Sequence, residues 1–357
     1  MIGFVKYAGV SAKLYALSSE LLTPEDYKNL VNQKAVRDVV SYIQSTKMYS
    51  DTMGNLNPDE IHRRDLENLL QEDLLKDMKK IFTFFVTFDK DFMHLLFYRY
   101  EVENLKLALR NFINRKEIKV EESKKIFFNL GERATIDPVK ISNSKNQDEV
   151  LDNLAGTSYQ EVVRNVFSSY KKSTAVNLIA VLENAIDGWL FSKIISASKN
   201  LGTKDQVVVK ELTGERADMI DIERIARAKA FYDLKPEELY NSLLSFHFRL
   251  KPDDLHAMCD AKEIKEMLDV LKAGPYAEIF KDMSEDNFID RITLAERRFL
   301  QRKARESITK LGNFSIAVYF HYFLLKEYEI MDLSTITEGV RYGLKVEEIK
   351  ERLINEF

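Results

Sequence analysis

Catalysis needs groups that can act in pairs, and the chain offers few. Its 357 residues include five histidines, His62, His94, His247, His256 and His321, and one cysteine, Cys259. A helix-borne zinc pair needs two ligands four residues apart on one face, and no two histidines stand so. His256 precedes Cys259 by three residues, which suggests one edge of a metal site or a Cys–His nucleophile pair, with no second thiol to complete it. A solvated or core position suits both residues better. No glycine-rich loop ends in Gly-Lys-Ser/Thr, the pattern that cradles phosphates, and Gly214-Glu215-Arg216 reads as a turn. With 57 acidic residues, carboxylates fall into apparent pairs on any set of helices, and most such pairs are solvated faces. A hydrolase built on clustered carboxylates would need a concave site with perturbed acids, which the pattern does not display. The sequence therefore predicts no catalytic residue, no metal ligand, no cofactor and no nucleotide site.

One charged pattern is more pointed. Arg291, Arg298, Arg302 and Arg305 are spaced so that they share one stripe of a helix, while Phe288, Ile292, Phe299 and Leu311 fall mainly elsewhere. Such a stripe is either a solvated face or a docking face for an acidic partner. The whole chain gives no comparable signal: 53 basic and 57 acidic residues leave a net charge of −4, without the basic excess that marks nucleic-acid binding. A single cysteine excludes an internal disulfide and suits a reducing compartment. Lys6 and Lys13 interrupt the apolar N-terminus, so it does not read as a signal peptide. The aromatic run from Phe314 to Leu325, which includes Tyr319, Phe320, Tyr322 and Phe323, is too short to span a bilayer and reads as packing between helices, with a membrane-facing aromatic rim as the lesser alternative. The expectation is a soluble, cytoplasmic protein without membrane-spanning segments.

The elements that must position these residues are helices. Only 12 Gly and 6 Pro punctuate the chain, too few for an all-β protein of this length. One pentad occurs three times, as Ile118-Lys119-Val120-Glu121-Glu122, Leu234-Lys235-Pro236-Glu237-Glu238 and Leu344-Lys345-Val346-Glu347-Glu348. Acids just after a proline or apolar residue suit a helix first turn. Leu22-Thr23-Pro24-Glu25-Asp26 and Leu56-Asn57-Pro58-Asp59-Glu60 look like further starts. A constant offset says more. Leu22, Pro24, Asp26, Lys34, Phe92, Leu96, Tyr100, Glu101 and Leu105 all recur 228 residues later, at Leu250, Pro252, Asp254, Lys262, Phe320, Leu324, Tyr328, Glu329 and Leu333. A more diverged middle copy matches at an offset of 117, through Leu151-Asp152-Asn153-Leu154, Tyr159 and Asn104 against Leu268-Asp269-Val270-Leu271, Tyr276 and Asp221. Three units follow, at residues 1–121, 122–237 and 238–357.

Each unit carries the same short signature: Tyr100-Glu101-Val102-Glu103-Asn104-Leu105, Ala217-Asp218-Met219-Ile220-Asp221-Ile222 and Tyr328-Glu329-Ile330-Met331-Asp332-Leu333. An acid precedes Asn or Asp by three residues, and Leu or Ile follows. Asn and Asp cap helix starts. Where the helix runs on unbroken, the same side chains would instead bond neighbouring repeats. Ile81, Phe85, Phe88, Phe92 and Leu96 have the spacing of one helix face. Thr135 to Gln147 and Lys199 to Asp205 read as loops. Val207-Val208-Val209 looks like strand by propensity, yet its place in the repeat makes it helix.

These signatures, with Lys106, Arg110, Arg227, Ala228, Lys229, Gln44-Ser45-Thr46 and Glu327, resemble the C subunit of the bacterial and archaeal A/V-type rotary ATPases, whose eukaryotic counterpart is the d subunit. The resemblance covers essentially the whole chain; Ala217 in the middle signature departs from it. It implies an all-α fold of three helical units with approximate threefold symmetry, arranged as a funnel. It also implies a non-catalytic central-stalk role: a socket on the membrane rotor ring that receives the D and F shaft subunits and couples ATP hydrolysis or synthesis to proton or sodium transport. The protein would then be peripheral, on the cytoplasmic face, with nucleotide bound by other subunits. A helical-repeat adaptor for soluble partners is the alternative.

Overall fold

A computed structural model describes the chain except Met1, Asn55, His62, Val86, residues 170–174 and Asp233; for residues 2–5, 63–64, 87–91 and 175–177 it describes the backbone alone. Among the described residues every regular element is helical, as the Gly and Pro count requires. Val207, Val208 and Val209 lie inside the Thr203–Phe231 helix, so tertiary context overrides their strand preference. The chain forms two compact units, Met1–Lys90 with Leu294–Phe357, and Asp91–Thr293.

In the first unit the Ile316–Arg341 helix is the centre. It packs against the Arg63–Phe82, Ile2–Ser18 and Val36–Ser45 helices. Tyr7, Leu14, Leu66, Leu70, Tyr322 and Phe323 are buried between these elements. The aromatic run packs as expected: Tyr319 meets Phe85 edge-on at 6.1 Å and Phe323 at 4.4 Å. Val36–Ser45 shows the simplest sequence logic, because Val39, Val40 and Ile43 line one face and are fully buried. Two expectations need correction here. The apolar spacing from Ile81 to Leu96 does not lie on one helix: the Arg63–Phe82 helix ends, a turn follows through Phe85, and a second helix starts at Thr87. Ile81, Phe85 and Phe92 are nonetheless buried, and the side chain of Phe88 lies outside the described residues. Asn57 to Glu60 forms a turn rather than a helix start.

The second unit is built on a hairpin of the Ala175–Ser198 and Thr203–Phe231 helices, with the shorter Tyr159–Ser169 and Ile264–Ala273 helices packed on it. Gly214 is not in a turn but in the middle of a long helix. A Cβ there would lie 2.6 Å from Phe248 Cβ and Cγ, so glycine permits the close approach of that segment. The stretch Thr135 to Gln147 is not all loop either. Asp137 accepts from Val139 N and Lys140 N and starts the short Pro138–Ser142 helix. The loop at Lys199 ends at Gly202, where the next helix begins. Cys259 is 2% exposed, and its carbonyl accepts from Lys229 Nζ at 2.8 Å.

The three pentads open the Val120–Ser123, Pro236–Asn241 and Val346–Lys350 helices, as the sequence suggests. In the latter two the last acid of the pentad reaches back: Lys235 N donates to Glu238 and Lys345 N donates to Glu348, satisfying an amide at each helix start.

Candidate functional site

The signature helices run on unbroken as Thr87–Ile113, Thr203–Phe231 and Ile316–Arg341. Of the two readings of the signature acids, bonding across to other segments is therefore the one realised. Glu101 accepts from Thr135 N, Thr135 Oγ1 (2.8 Å), Ile136 N (3.3 Å) and Tyr159 Oη (3.0 Å). Asp218 accepts from Phe248 N (2.8 Å), Arg249 N (2.7 Å), Leu250 N (3.1 Å) and Tyr276 Oη (2.7 Å). Glu329 accepts from Leu22 N (2.7 Å) and Tyr49 Oη (2.7 Å). One device occurs three times: a buried carboxylate grips the extended segment just before a Pro-led helix and a tyrosine hydroxyl further on. The last instance ties the Ile316–Arg341 helix to the segment near the N-terminus.

The second signature position works on a different segment. Asn104 accepts from Phe128 N at 2.8 Å and donates to Phe128 O at 2.9 Å. Asp221 accepts from Leu244 N at 3.0 Å, lies 3.0 Å from His247 Nε2 and pairs with Arg224 at 2.8 Å. Asp332 accepts from Ile354 N (2.7 Å) and Asn355 N (3.0 Å). Each of these side chains satisfies amides that a helix could not, in a chain where an unpaired buried amide costs about 1–3 kcal/mol. Tyr100 is buried edge-on against Phe128 at 5.1 Å, and Tyr328 is buried as well. Burial comes first among the causes that lift the Tyr159, Tyr276 and Tyr49 hydroxyls well above the ordinary tyrosine range, followed by the acids they face. They stay protonated and act as donors. Glu329 is pushed up to about 7 by burial, partly offset by Lys326, Tyr49 and Leu22.

Around Glu329 lies a buried network that the sequence pattern does not announce. Lys326 is fully buried, 2.7 Å from Asp73 and 3.8 Å from Asp77, with its ammonium 4.3 Å from the Tyr49 ring centre. Tyr322 donates to Asp77 at 2.7 Å, and Thr52 donates to Asp73 at 2.6 Å. A lone lysine in the aromatic and aliphatic run around Tyr322 to Ile330 is the available sequence signal.

The arginine stripe lies along the Glu285–Leu311 helix, with Phe288, Ile292 and Phe299 buried away from it. Arg291, Arg302 and Arg305 are exposed. Arg298 is different: it donates to Leu353 O at 2.7 Å and pairs with Glu356 at 2.6 Å, so it holds the chain's own tail. Gln301 supports the same tail through Asn355 at 2.7 Å.

The histidines and the cysteine do not assemble into a reactive site. His256 is exposed and stacks on Tyr240 at 3.7 Å, whereas Cys259 is buried with its thiol pushed up to about 12 by burial. His247 serves Asp221, and His94 lies 3.4 Å from Arg133; His62 lies outside the described residues. Among the described residues no cluster of His, Cys, Asp or Glu could hold a metal ion. A cleft of about 680 Å³ opens between the Ala175–Ser198 and Thr203–Phe231 helices. Most of its charges are paired, Glu183 with Arg110, Glu223 with Arg227 and Arg224 with Asp221, while Glu238 accepts from Lys235 N. Among the described residues no helix is long and apolar enough to cross a membrane.

The chain is similar over nearly its full length to known proteins. It is 22% identical over 354 residues to the C subunit of the A-type ATP synthase of Pyrococcus abyssi (strain GE5 / Orsay), covering 98% of this chain and 90% of that one. It is 22% identical over 369 residues to the protein of the same name from Methanocaldococcus jannaschii, covering 99% and 88%. For that of Methanosarcina mazei the figures are 23% over 361 residues, 99% and 94%. The model of the ATP synthase (C/AC39) subunit family matches residues 10–352, and the chain belongs to that family.

Proposed function

We propose that this chain is a non-catalytic central-stalk subunit of an A/V-type ATPase. It connects a shaft made of the D and F subunits to the membrane rotor ring, and so couples ATP hydrolysis or synthesis to movement of protons or sodium ions. The observation that carries the reading is the family match over residues 10–352. The signature supports it: all three acid positions are used in holding segments of the fold together, which suits a part that transmits torque rather than one that turns over substrate. A peripheral place on the cytoplasmic face fits a chain in which, among the described residues, no helix is long and apolar enough to cross a membrane. We place the repeat boundaries near residues 121 and 237, giving units 1–121, 122–237 and 238–357; the thrice-used carboxylate grip supports that division. The exposed guanidinium groups of Arg291, Arg302 and Arg305 are the proposed contact face for an acidic partner.

The test is reconstitution. Tagged chain is mixed with purified D–F shaft and, separately, with detergent-solubilised rotor ring. Co-elution with both is the expected result. Binding to neither, while soluble partners are captured, would point to a helical-repeat adaptor instead.

A further inference from the structure

The carboxylate grip has a hazard built into it. Glu101, Asp218 and Glu329 each hold at least one backbone amide and a tyrosine hydroxyl, so the grip alone does not say which helix belongs in which seat. Chains of similar units misassemble by exchanging such segments, within one molecule or with a second copy.

The residue three positions before each gripping acid is different every time: Tyr98, Glu215 and Lys326. Tyr98 is a half-buried phenol. Glu215 is fully buried and meets Arg249 at 2.6 Å, in the same segment whose amides Asp218 holds. Lys326 is fully buried and meets Asp73 and Asp77 at 2.7 and 3.8 Å. The helix-borne charge is thus negative in one seat and positive in another, and each seat carries the complement.

We propose that Glu215 and Lys326 are buried charge keys that assign the Thr203–Phe231 and Ile316–Arg341 helices to their own seats and keep either helix out of the other's seat, in its own chain or in a second copy. An exchanged Thr203–Phe231 helix would set Glu215 against Asp73 and Asp77. An exchanged Ile316–Arg341 helix would set Lys326 against Arg249. The first places like charges together in a buried seat that water does not screen, and the second sets the Lys326 ammonium against a partly exposed guanidinium. The native pairs need contribute little net stability for this to work, because the selection lies in the cost of the wrong pairing. The inference is independent of the coupling role: it rests on residue contacts within the chain and is read out without any partner.

The experiment neutralises the keys while keeping their shapes. The full chain carrying Glu215→Gln, Arg249→Met, Lys326→Met, Asp73→Asn and Asp77→Asn keeps acceptors for Thr52 and Tyr322. It is denatured in urea and refolded beside the wild type at on the order of 10 μM, and the products are sized by light scattering. The wild type returns as monomer, and the neutralised chain yields about tenfold more dimer in which a helix occupies the other helix's seat. Equal monomer recovery overturns the proposal. Should the neutralised chain not fold, reversals decide. Glu215→Lys loses native recovery, adding Arg249→Glu restores it, and adding Lys326→Glu does not. Failure of Arg249→Glu to rescue, or rescue by Lys326→Glu, overturns the proposal equally.

Discussion

A buried carboxylate and a half-buried imidazole pull the pH response of this fold in opposite directions. Glu329 has a folded-state value near 7, above the ordinary carboxylate range, because burial disfavours its charged form. The native state therefore holds this proton more tightly than the unfolded chain does. Its contribution is complete below about pH 4 and is lost as pH rises through 7, up to on the order of 3 kcal/mol. His321 runs the other way. Burial first, and Arg305 second, lower it to about 4, so its contribution is present above about pH 6.5 and is lost as pH falls through 4. Melting temperatures of Glu329→Gln and His321→Asn, each subtracted from the wild type across pH 4.5 to 7.5, are expected to slope in opposite directions. Parallel difference curves would refute both assignments. Gly214 supplies a steric counterpart. Alanine is the better helix former, yet its methyl would meet Phe248 at 2.6 Å. Gly214→Ala should cost about 1–3 kcal/mol in urea titrations.

The long helices show how much of the fold and site is legible in the residues alone, and why the rest is not. The 228-residue offset and the signature locate the positions where carboxylates bind other segments, since matching residues keep matching roles. What propensity and period cannot see are contacts made far away in sequence. Lys326 and Asp73 are 253 residues apart, and nothing near either announces the other. Gly214 reads as a turn because Phe248, the residue that requires it, is elsewhere in the chain. The helix break after Phe82 is hidden because the buried side chains keep a helical rhythm across it. Two predictions belong to this scale. Asp218→Ala leaves three backbone donors and Tyr276 without their acceptor, and should cost about 3–5 kcal/mol by chemical denaturation. On the arginine stripe, Arg302→Glu with Arg305→Glu should leave stability within about 0.5 kcal/mol per site. It should weaken binding to the shaft or the ring and flatten its salt dependence. Arg298→Ala is the contrast, costing about 1–3 kcal/mol because it releases Leu353 and Glu356. Unchanged affinity for both partners in the double reversal would leave the stripe as a solvated face.

At the scale of the molecule, the proposed connector role predicts a chemically quiet chain. Calorimetry with ATP and the isolated chain should show no micromolar binding. Such binding, abolished by a point change in this chain, would contradict the non-catalytic reading. The same quietness makes the chain its own reporter. It has one thiol, Cys259, which lies in the second compact unit, is 2% exposed and carries a value near 12. A thiol that is neither reachable nor ionised cannot be alkylated until the helix bearing it leaves the core. Its labelling rate is therefore a clock for the opening of Asp91–Thr293 alone, since the other unit holds no cysteine to answer. Slower labelling when the shaft or the ring is added would reveal, without any engineered probe, that the partner steadies this unit in particular.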